Sequence, residues 1–283
     1  MIYTTRFAPS PTGPLHLGHA YSALLAFERA QAADGQFLVR IEDIDQGRAR
    51  PEWEALIFED LCWLGLSWAT PIMRQSERLD AYAQALEKMW SEGLLYQCDC
   101  NRRDITEAVG APQEGVPIHG PDGVIYPGTC RNLHPRSGPV PQNVTLRLDM
   151  HSALRRLTGP LIYTETGIAP GDVDVRRTHP IETMGDIVLA RRDMATSYHL
   201  SVVVDDAAQI ITEVVRGADL ADATRIHVIL QAVLGLPTPD YHHHRLIRDV
   251  NGKRLAKRDD ARAIAKYRSE GASPQDIRVL VGL

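Results

Sequence analysis

Cysteine is scarce in this chain, with four residues among 283: Cys62, Cys98, Cys100 and Cys130. That is too few for a disulfide-built scaffold of this length. Long apolar runs are missing too: no stretch of about 18 uncharged apolar residues occurs, so no membrane span is expected. The opening MIYTTRFAPSP lacks the basic start and apolar stretch of a secretory signal. Nor is there an excess of positive charge. Lys and Arg number 31 against 36 Asp and Glu, giving a net charge of −5 and a pI near 6.1. This excludes a protein that coats nucleic acid indiscriminately through a basic surface. Internal repeats and low-complexity tracts are absent. The expectation is a cytoplasmic monomer without membrane contact.

What is present is ordinary globular composition, 44% hydrophobic and 24% charged, in a chain long enough to bury one large core or two smaller ones. Paired cations at Arg102-Arg103, Arg155-Arg156, Arg176-Arg177 and Arg191-Arg192, and a run from Lys253 to Arg262, leave room for a local phosphate-binding face. Leu17, Ala20, Leu24 and Phe27 lay an apolar stripe along a helix that ends near Asp34-Gly35. FLVRIED reads as a buried strand, Pro51 opens a helix to about Leu64, and Ser76 with Glu77 opens a third through Met89. This alternation is the rhythm of an α/β fold with a parallel sheet.

From about Tyr96 to Pro141 the periodicity stops, and Pro, Gly and three cysteines accumulate, as in a loop-rich insertion. VTLRLDM, PLIYTET and DIVLARRD then read as strands. The run YHLSVVVDDAAQIITEVVRGADL fits helix and strand equally by periodicity, and a last amphipathic helix is expected from about Asp260 to Ser269. The division expected is a first catalytic half over 1–97, an inserted module over 98–185 and a second half over 186–283. Cys62, beside Trp63 and Leu64, reads as a core thiol. His242, His243 and His244 cannot all face one ion on a strand, where successive side chains alternate, so they read as structural or substrate-proximal. The Asp205-Asp206 pair fits either a metal- or ribose-contacting site or the end of a buried segment.

Three thiolates can gather a zinc ion that holds an insertion lacking its own core. Cys98, Cys100 and Cys130 supply them, with His119, His134 or an oxygen donor as the fourth ligand. At the other end of the chain, RFAPSPTGPLHLGHA combines Gly13 and Gly18, which allow close backbone approach, with His16 and His19 near a helix start, a natural place for phosphate.

HLGH following RFAPSPTG resembles the HIGH motif of class I aminoacyl-tRNA synthetases in its glutamyl version, with Leu17 in place of Ile. RLAKR, Arg254 to Arg258, resembles the glutamyl form of the KMSKS loop, with Arg254 for the first Lys, Ala256 for the Ser, and Lys257 retained. The resemblance implies a Rossmann-like catalytic core, a parallel sheet with helices on both faces, carrying an inserted zinc-containing connective module. It implies catalysis by His16, His19 and Lys257, and ATP binding by His16, Gly18, His19, Arg254 and Lys257, with Mg²⁺ accompanying ATP. A dicarboxylic substrate needs cations for two carboxylates and an anion for one ammonium. In the matching segments RFAPSPTG, RIEDID and YHLSVVVDD…VVR, that set falls on Arg6, Glu42, Tyr198 and Arg216. By resemblance Arg6, Phe7, Ala8, Pro9, Ser10 and Tyr198 line the L-glutamate pocket, Glu42 meets the amino group and Arg216 pairs with a carboxylate. CDC followed by YPGTCR is similar to the zinc module of the short paralogues of this branch, which implies Tyr126 as the fourth ligand. The chain ends 25 residues after Arg258, so no anticodon-binding domain is expected. Those short paralogues transfer glutamate to the queuosine of tRNA(Asp). The alternatives are the catalytic core of an enzyme charging a tRNA 3′ end, or an inactive module holding tRNA or zinc.

Overall fold

The computed structural model describes residues 1–109, 119–247 and 262–283. The first half runs β1 (Thr4–Phe7), α1 (Leu17–Ala32), β2 (Gln36–Ile41), α2 (Pro51–Trp63), β3 (Met73–Arg74) and α3 (Leu79–Ser91). Strands β1, β2 and β3 form a parallel sheet in that order, with Arg6 opposite Leu38. Each strand is short, β1 fully and β2 mostly buried while β3 is half-buried, and helices cross between them, as parallel pairing requires.

The middle of the chain contributes β4 (Leu95–Cys98), α4 (Arg102–Val109), a hairpin of β5 (His119–Gly120) and β6 (Gly123–Val124), then β7 (Thr145–Leu148), α5 (Met150–Arg156), β8 (Ile162–Glu165), β9 (Gly171–Asp174), α6 (Pro180–Thr183) and β10 (Val188–Ala190). Strands β10, β7 and β4 make an antiparallel sheet, whereas β8 and β9 join the sheet of the second half. That second half runs α7 (Tyr198–Ala208), β11 (Glu213–Gly217), α8 (Ala221–Leu234), β12 (Asp240–His244), α9 (Ile264–Ser269) and α10 (Pro274–Val281). Strand β12 lies between β11 and β8 and runs parallel to both.

The two sheets meet where β11 begins beside β1: Thr212 N donates to Thr4 O at 3.0 Å and Thr4 N donates to Thr212 Oγ1 at 2.8 Å. From this seam the chain winds outward through β2 on one side and β12 on the other. That is the switch point of a doubly wound sheet, and ligands of such folds bind beyond the carboxyl ends of the strands there. Two apolar cores flank it, one around α1, β2 and α10, the other around α3, β7, α7 and α8.

A buried ion cluster joins the layers. Asp206, on α7, receives Arg6 Nε at 3.0 Å from β1 and Arg40 Nη1 at 2.7 Å from β2. Asp205 beside it receives Arg78 Nε at 2.6 Å, Gln75 Nε2 at 2.9 Å and the Tyr82 hydroxyl at 2.7 Å. The acid pair is therefore a structural hub, tying α7 to β1, β2 and α3.

Several expectations need correcting. The ambiguous run resolves into helix α7 followed by strand β11, because its first part packs Leu200, Val202 and Val203 while its second part enters the parallel sheet. Ser76 does not cap a helix; its backbone N–H and hydroxyl both donate to Asp43. The last helix begins at Ile264, the part expected from Asp260 falls partly outside the described residues, and a further helix, α10, buries Ile277 and Val281. Cys62 is exposed, not a core thiol, since α2 turns Ile57 and Leu61 inward and leaves position 62 on the outer face.

Replacing Cys62 with Ser should change unfolding free energy by less than about 0.5 kcal/mol, as for other surface positions, measured by urea unfolding, and Cys62 should be alkylated in the folded protein, read by mass mapping of the label. Asp206→Asn should cost about 3 kcal/mol by leaving buried guanidinium groups short of an anion, measured by urea unfolding. Although burial alone would raise it, Arg6 and Arg40 hold the Asp206 carboxyl below its usual value. Its contribution is therefore complete above pH ~4, the unfolded value, and is lost as pH falls toward the lower folded value. The Asn variant should lack that part of the acid slope.

Candidate active site

A cleft of about 660 Å³ opens at the carboxyl ends of β1 and β11. Its walls include Arg6, Phe7, Ala8, Pro9 and Ser10 from the end of β1, His16, Gly18 and His19 from the start of α1, and Glu42, Tyr198 and Arg216. Residues from four separated segments thus converge, each carried there by the end of a strand or the first turn of a helix. Arg254 and Lys257 lie outside the described residues. The chain on either side borders the same region: Ile247 lines the cleft, and Ala263 bridges to His16 with Ile264 N donating to Leu15 O at 2.9 Å.

His16 is the residue before α1 rather than part of its first turn. Its Nδ1 accepts from Gly18 N at 3.1 Å, while His16 N donates to His19 Nδ1 at 3.3 Å, so the two imidazoles cap the helix reciprocally. Their rings stack at 3.8 Å. A neutral ring whose Nδ1 accepts a hydrogen bond carries its proton on Nε2, so the cap leaves both histidines as Nε2–H donors at a helix N-terminus. A Cβ on Gly18 would stand 3.1 Å from the His16 ring, which explains the glycine between them.

Three guanidinium groups, Arg6 and Arg216 on the cleft wall and Arg40 buried behind it, differ in their partners. Arg6 is neutralised by Asp206, and the fully buried Arg40 by Asp206 and by Glu42 at 3.1 Å. Arg216 is held by neutral acceptors: Thr224 Oγ1 at 2.6 Å, His243 Nε2 and His227 Nδ1 at 3.3 Å, and Leu220 O at 3.3 Å. Its place opposite His243 follows from the parallel register of β11 and β12. Glu165 accepts from Nδ1 of His243, which orders that ring so that Nε2 faces Arg216. Burial above all lowers the pKa of both His227 and His243, so these rings accept as neutral groups. His242 is turned to Thr166, whereas His244 pairs with Ser22 and both of these line the cleft.

Glu42 is both an internal ion-pair partner and a cleft residue. Burial raises its pKa despite Arg40 and Arg6, so a ligand ammonium beside it would be favoured. Burial likewise raises Tyr198, against the opposing charge of Arg216. Sequence reasoning missed Arg40, His199 and His227. Arg40 was findable, since it stands two residues from Glu42 on one strand and so shares its face; the histidines carried no local signal.

The cysteine module forms a second site. The sulfurs of Cys98, Cys100 and Cys130 lie within 4.8 Å of one another, a group able to hold a metal ion. The Tyr126 hydroxyl is 3.4 Å from Cys100 Sγ and accepts from Cys130 N at 2.9 Å. His134 is turned to Asp99 Oδ2 at 2.5 Å, and His119 sits in the exposed hairpin strand. Burial raises the Cys100 thiol to about 11, whereas hydrogen bonds led by that from Tyr126 outweigh burial and lower Cys130 to about 7.

Among the described residues no helix is long and apolar enough to cross a membrane. Comparison with known proteins gives consistent matches. A protein of Rhodobacter capsulatus named glutamyl-Q tRNA(Asp) synthetase is 60% identical over 281 residues, covering 99% of each chain. One of that name from Nocardia farcinica is 39% identical over 98% of this chain and 82% of the other. Among solved structures, glutamate-tRNA synthetase from Elizabethkingia anophelis superposes with a TM-score of 0.74 at 25% identity, over 99% of this chain and 61% of that one. A glutamate tRNA ligase from Elizabethkingia meningosepticum in complex with its amino acid gives a TM-score of 0.73 at 27% identity, over 99% and 60%. This chain thus spans about three fifths of the length of those two structures. The profile described as tRNA synthetases class I (E and Q), catalytic domain, matches residues 3–283, and the chain belongs to that family.

Proposed function

We propose that this protein activates L-glutamate with ATP and then transfers the glutamyl group to queuosine in tRNA(Asp). The observation that carries the reading is the joining, in one cleft, of the two capping histidines with Arg6, Glu42, Tyr198 and Arg216. One end suits phosphate and the other a small diacid bearing an ammonium. The family's substrates are ATP, an amino acid and tRNA, and the Rhodobacter capsulatus relative, matched nearly end to end, supports queuosine of tRNA(Asp) as the acceptor.

In the first step an oxygen of the glutamate α-carboxylate attacks the α-phosphorus, the bond to the bridging oxygen breaks and pyrophosphate leaves. Charge grows on phosphate oxygens, where the Nε2–H donors of His16 and His19 at the N-terminus of α1 stabilise it. Lys257 and Arg254 supply cations to the same phosphates. Mg²⁺ enters with ATP and shares their negative charge. In the second step a hydroxyl of the queuosine cyclopentenediol attacks the acyl carbon and AMP leaves. Glu42 receives the ammonium. Because Arg6 is already neutralised by Asp206 while Arg216 has neutral direct partners, Arg216 is the stronger electrostatic match for a ligand carboxylate.

A structural zinc fits the donor set of the cysteine module: three sulfurs in mutual reach and a phenol oxygen beside them. Burial holds the Tyr126 hydroxyl protonated far above its ordinary range, so a divalent cation must take the proton's place for that oxygen to bind as phenolate. The module would then be fixed by zinc in place of a core. The protein acts as a cytoplasmic monomer in this reading.

Protein, ATP and glutamate should give pyrophosphate exchange without tRNA, and labelled glutamate should appear on the anticodon loop of queuosine-containing tRNA(Asp). Label on the terminal adenosine would overturn the acceptor assignment. Arg216→Gln should lower kcat/KM for glutamate by about 10²-fold, the scale of one lost charge-assisted bond left unmatched, with the KM for ATP little changed in steady-state exchange. Cys130→Ser should release zinc, read by metal analysis of the purified protein, and should lower the melting temperature.

A further inference from the structure

A chain of polar side chains leads from Arg216 out of the amino-acid pocket. Arg216 Nη1 donates to His227 Nδ1 at 3.3 Å, His227 Nε2 is 3.1 Å from His199 Nδ1, and His199 Nε2 is 3.3 Å from Asp122 Oδ1. The two histidines are buried, and Asp122 is about one third exposed, in the turn between β5 and β6. That hairpin belongs to the cysteine module, four residues ahead of Tyr126.

The order of protons along this chain is decided at its ends. A guanidinium only donates and a carboxylate only accepts. With Asp122 accepting from His199 Nε2, His199 Nδ1 must accept from His227 Nε2, and His227 Nδ1 then presents a lone pair to Arg216. Reversing His199 alone would set its N–H against that of His227, and reversing His227 would set an N–H against the Arg216 N–H. On the far side of the guanidinium, the carboxylate of Glu165 orders His243 in the same sense. Two imidazole arms, each ending in an acid, therefore grip Arg216 from opposite sides. The ring of Tyr198, on the cleft wall, packs against both His199 and His227, at 5.3 and 5.7 Å.

We propose that Asp122, His199 and His227 are positioning residues that fix the Arg216 guanidinium for a substrate carboxylate, so that the cysteine module helps set amino-acid affinity. This rests on the reading of the cleft as a glutamate site. Asp122→Asn can donate as well as accept, which removes the imposed order, and His199→Asn keeps the inner acceptor while losing the contact to Asp122. Both should raise the KM for glutamate about 3- to 10-fold, the range of one weakened hydrogen bond, with kcat, the KM for ATP and the melting temperature unchanged. Asp122→Glu should restore the KM. Nitrogen-15 spectra of the imidazoles, recorded without substrate, should place the His227 proton on Nε2 in the parent protein and on a mixture of both nitrogens in Asp122→Asn. An unchanged KM in both variants, a KM rise matched by loss of kcat and melting temperature, or a His227 proton on Nδ1 in the parent protein overturns the proposal. Absence of glutamate-dependent exchange in the parent protein overturns the pocket reading instead, and the spectra then decide the proton order by themselves.

Discussion

Asp206 is the constraint on which the site depends. One carboxylate, carried on α7, is shared by Arg6 from β1 and Arg40 from β2, so three elements far apart in sequence are held at one depth beneath the cleft. Buried ion clusters are poor sources of net stability, because desolvation offsets most of the Coulomb attraction. Their effect here is geometric. With Arg6 held by Asp206, and Glu42 held through Arg40, the pocket's charges have fixed positions before a ligand arrives, and no reorganisation is needed when charge develops.

The site's location follows from topology. Strands β1 and β11 start side by side and the chain departs from them in opposite directions, so no crossover helix covers their carboxyl ends. The loop after β1 runs directly into α1, whose exposed N–H groups and capping imidazoles face the opening. The carboxyl end of β11 carries Arg216 and Gly217 to the same opening. The start of α1 and Arg216 become neighbours in one cleft because the sheet puts them there, though some 200 residues separate them in sequence.

Beyond the cleft, the imidazole network shows how polar residues are accommodated in a mostly apolar interior. His227 and His243 are neutral acceptors, and the two arms that reach Arg216 end at Glu165, through His243, and at Asp122, through His199 and His227. The hairpin of β5 and β6 is thereby linked to Arg216 on the cleft wall through side chains. Tyr126 also lies under the Arg147 guanidinium, 3.9 Å above its ring centroid, which joins the cysteine cluster to β7.

Local sequence determined a good deal. The stripe Leu17, Ala20, Leu24 and the strand FLVRIED were legible because backbone periodicity is a short-range property. The motif around His16 pointed to the family because few other sequences place those residue types so, and the spacing of the three cysteines was enough to suggest a cluster that could hold a metal ion. What only tertiary structure decided are the quantities that depend on packing across layers. The run from Tyr198 became a helix and then a strand because of what each part packs on. Asp205 and Asp206, ambiguous in sequence, became hubs because α7 lies over β1, β2 and α3. Cys62 turned outward because the facing of α2 is set by its neighbours. His199 and His227, 28 residues apart, meet only because α7 packs on α8. Hydrogen bonds between such residues leave no trace in local composition; they arise from the fold that brings distant segments within 3 Å or so of each other.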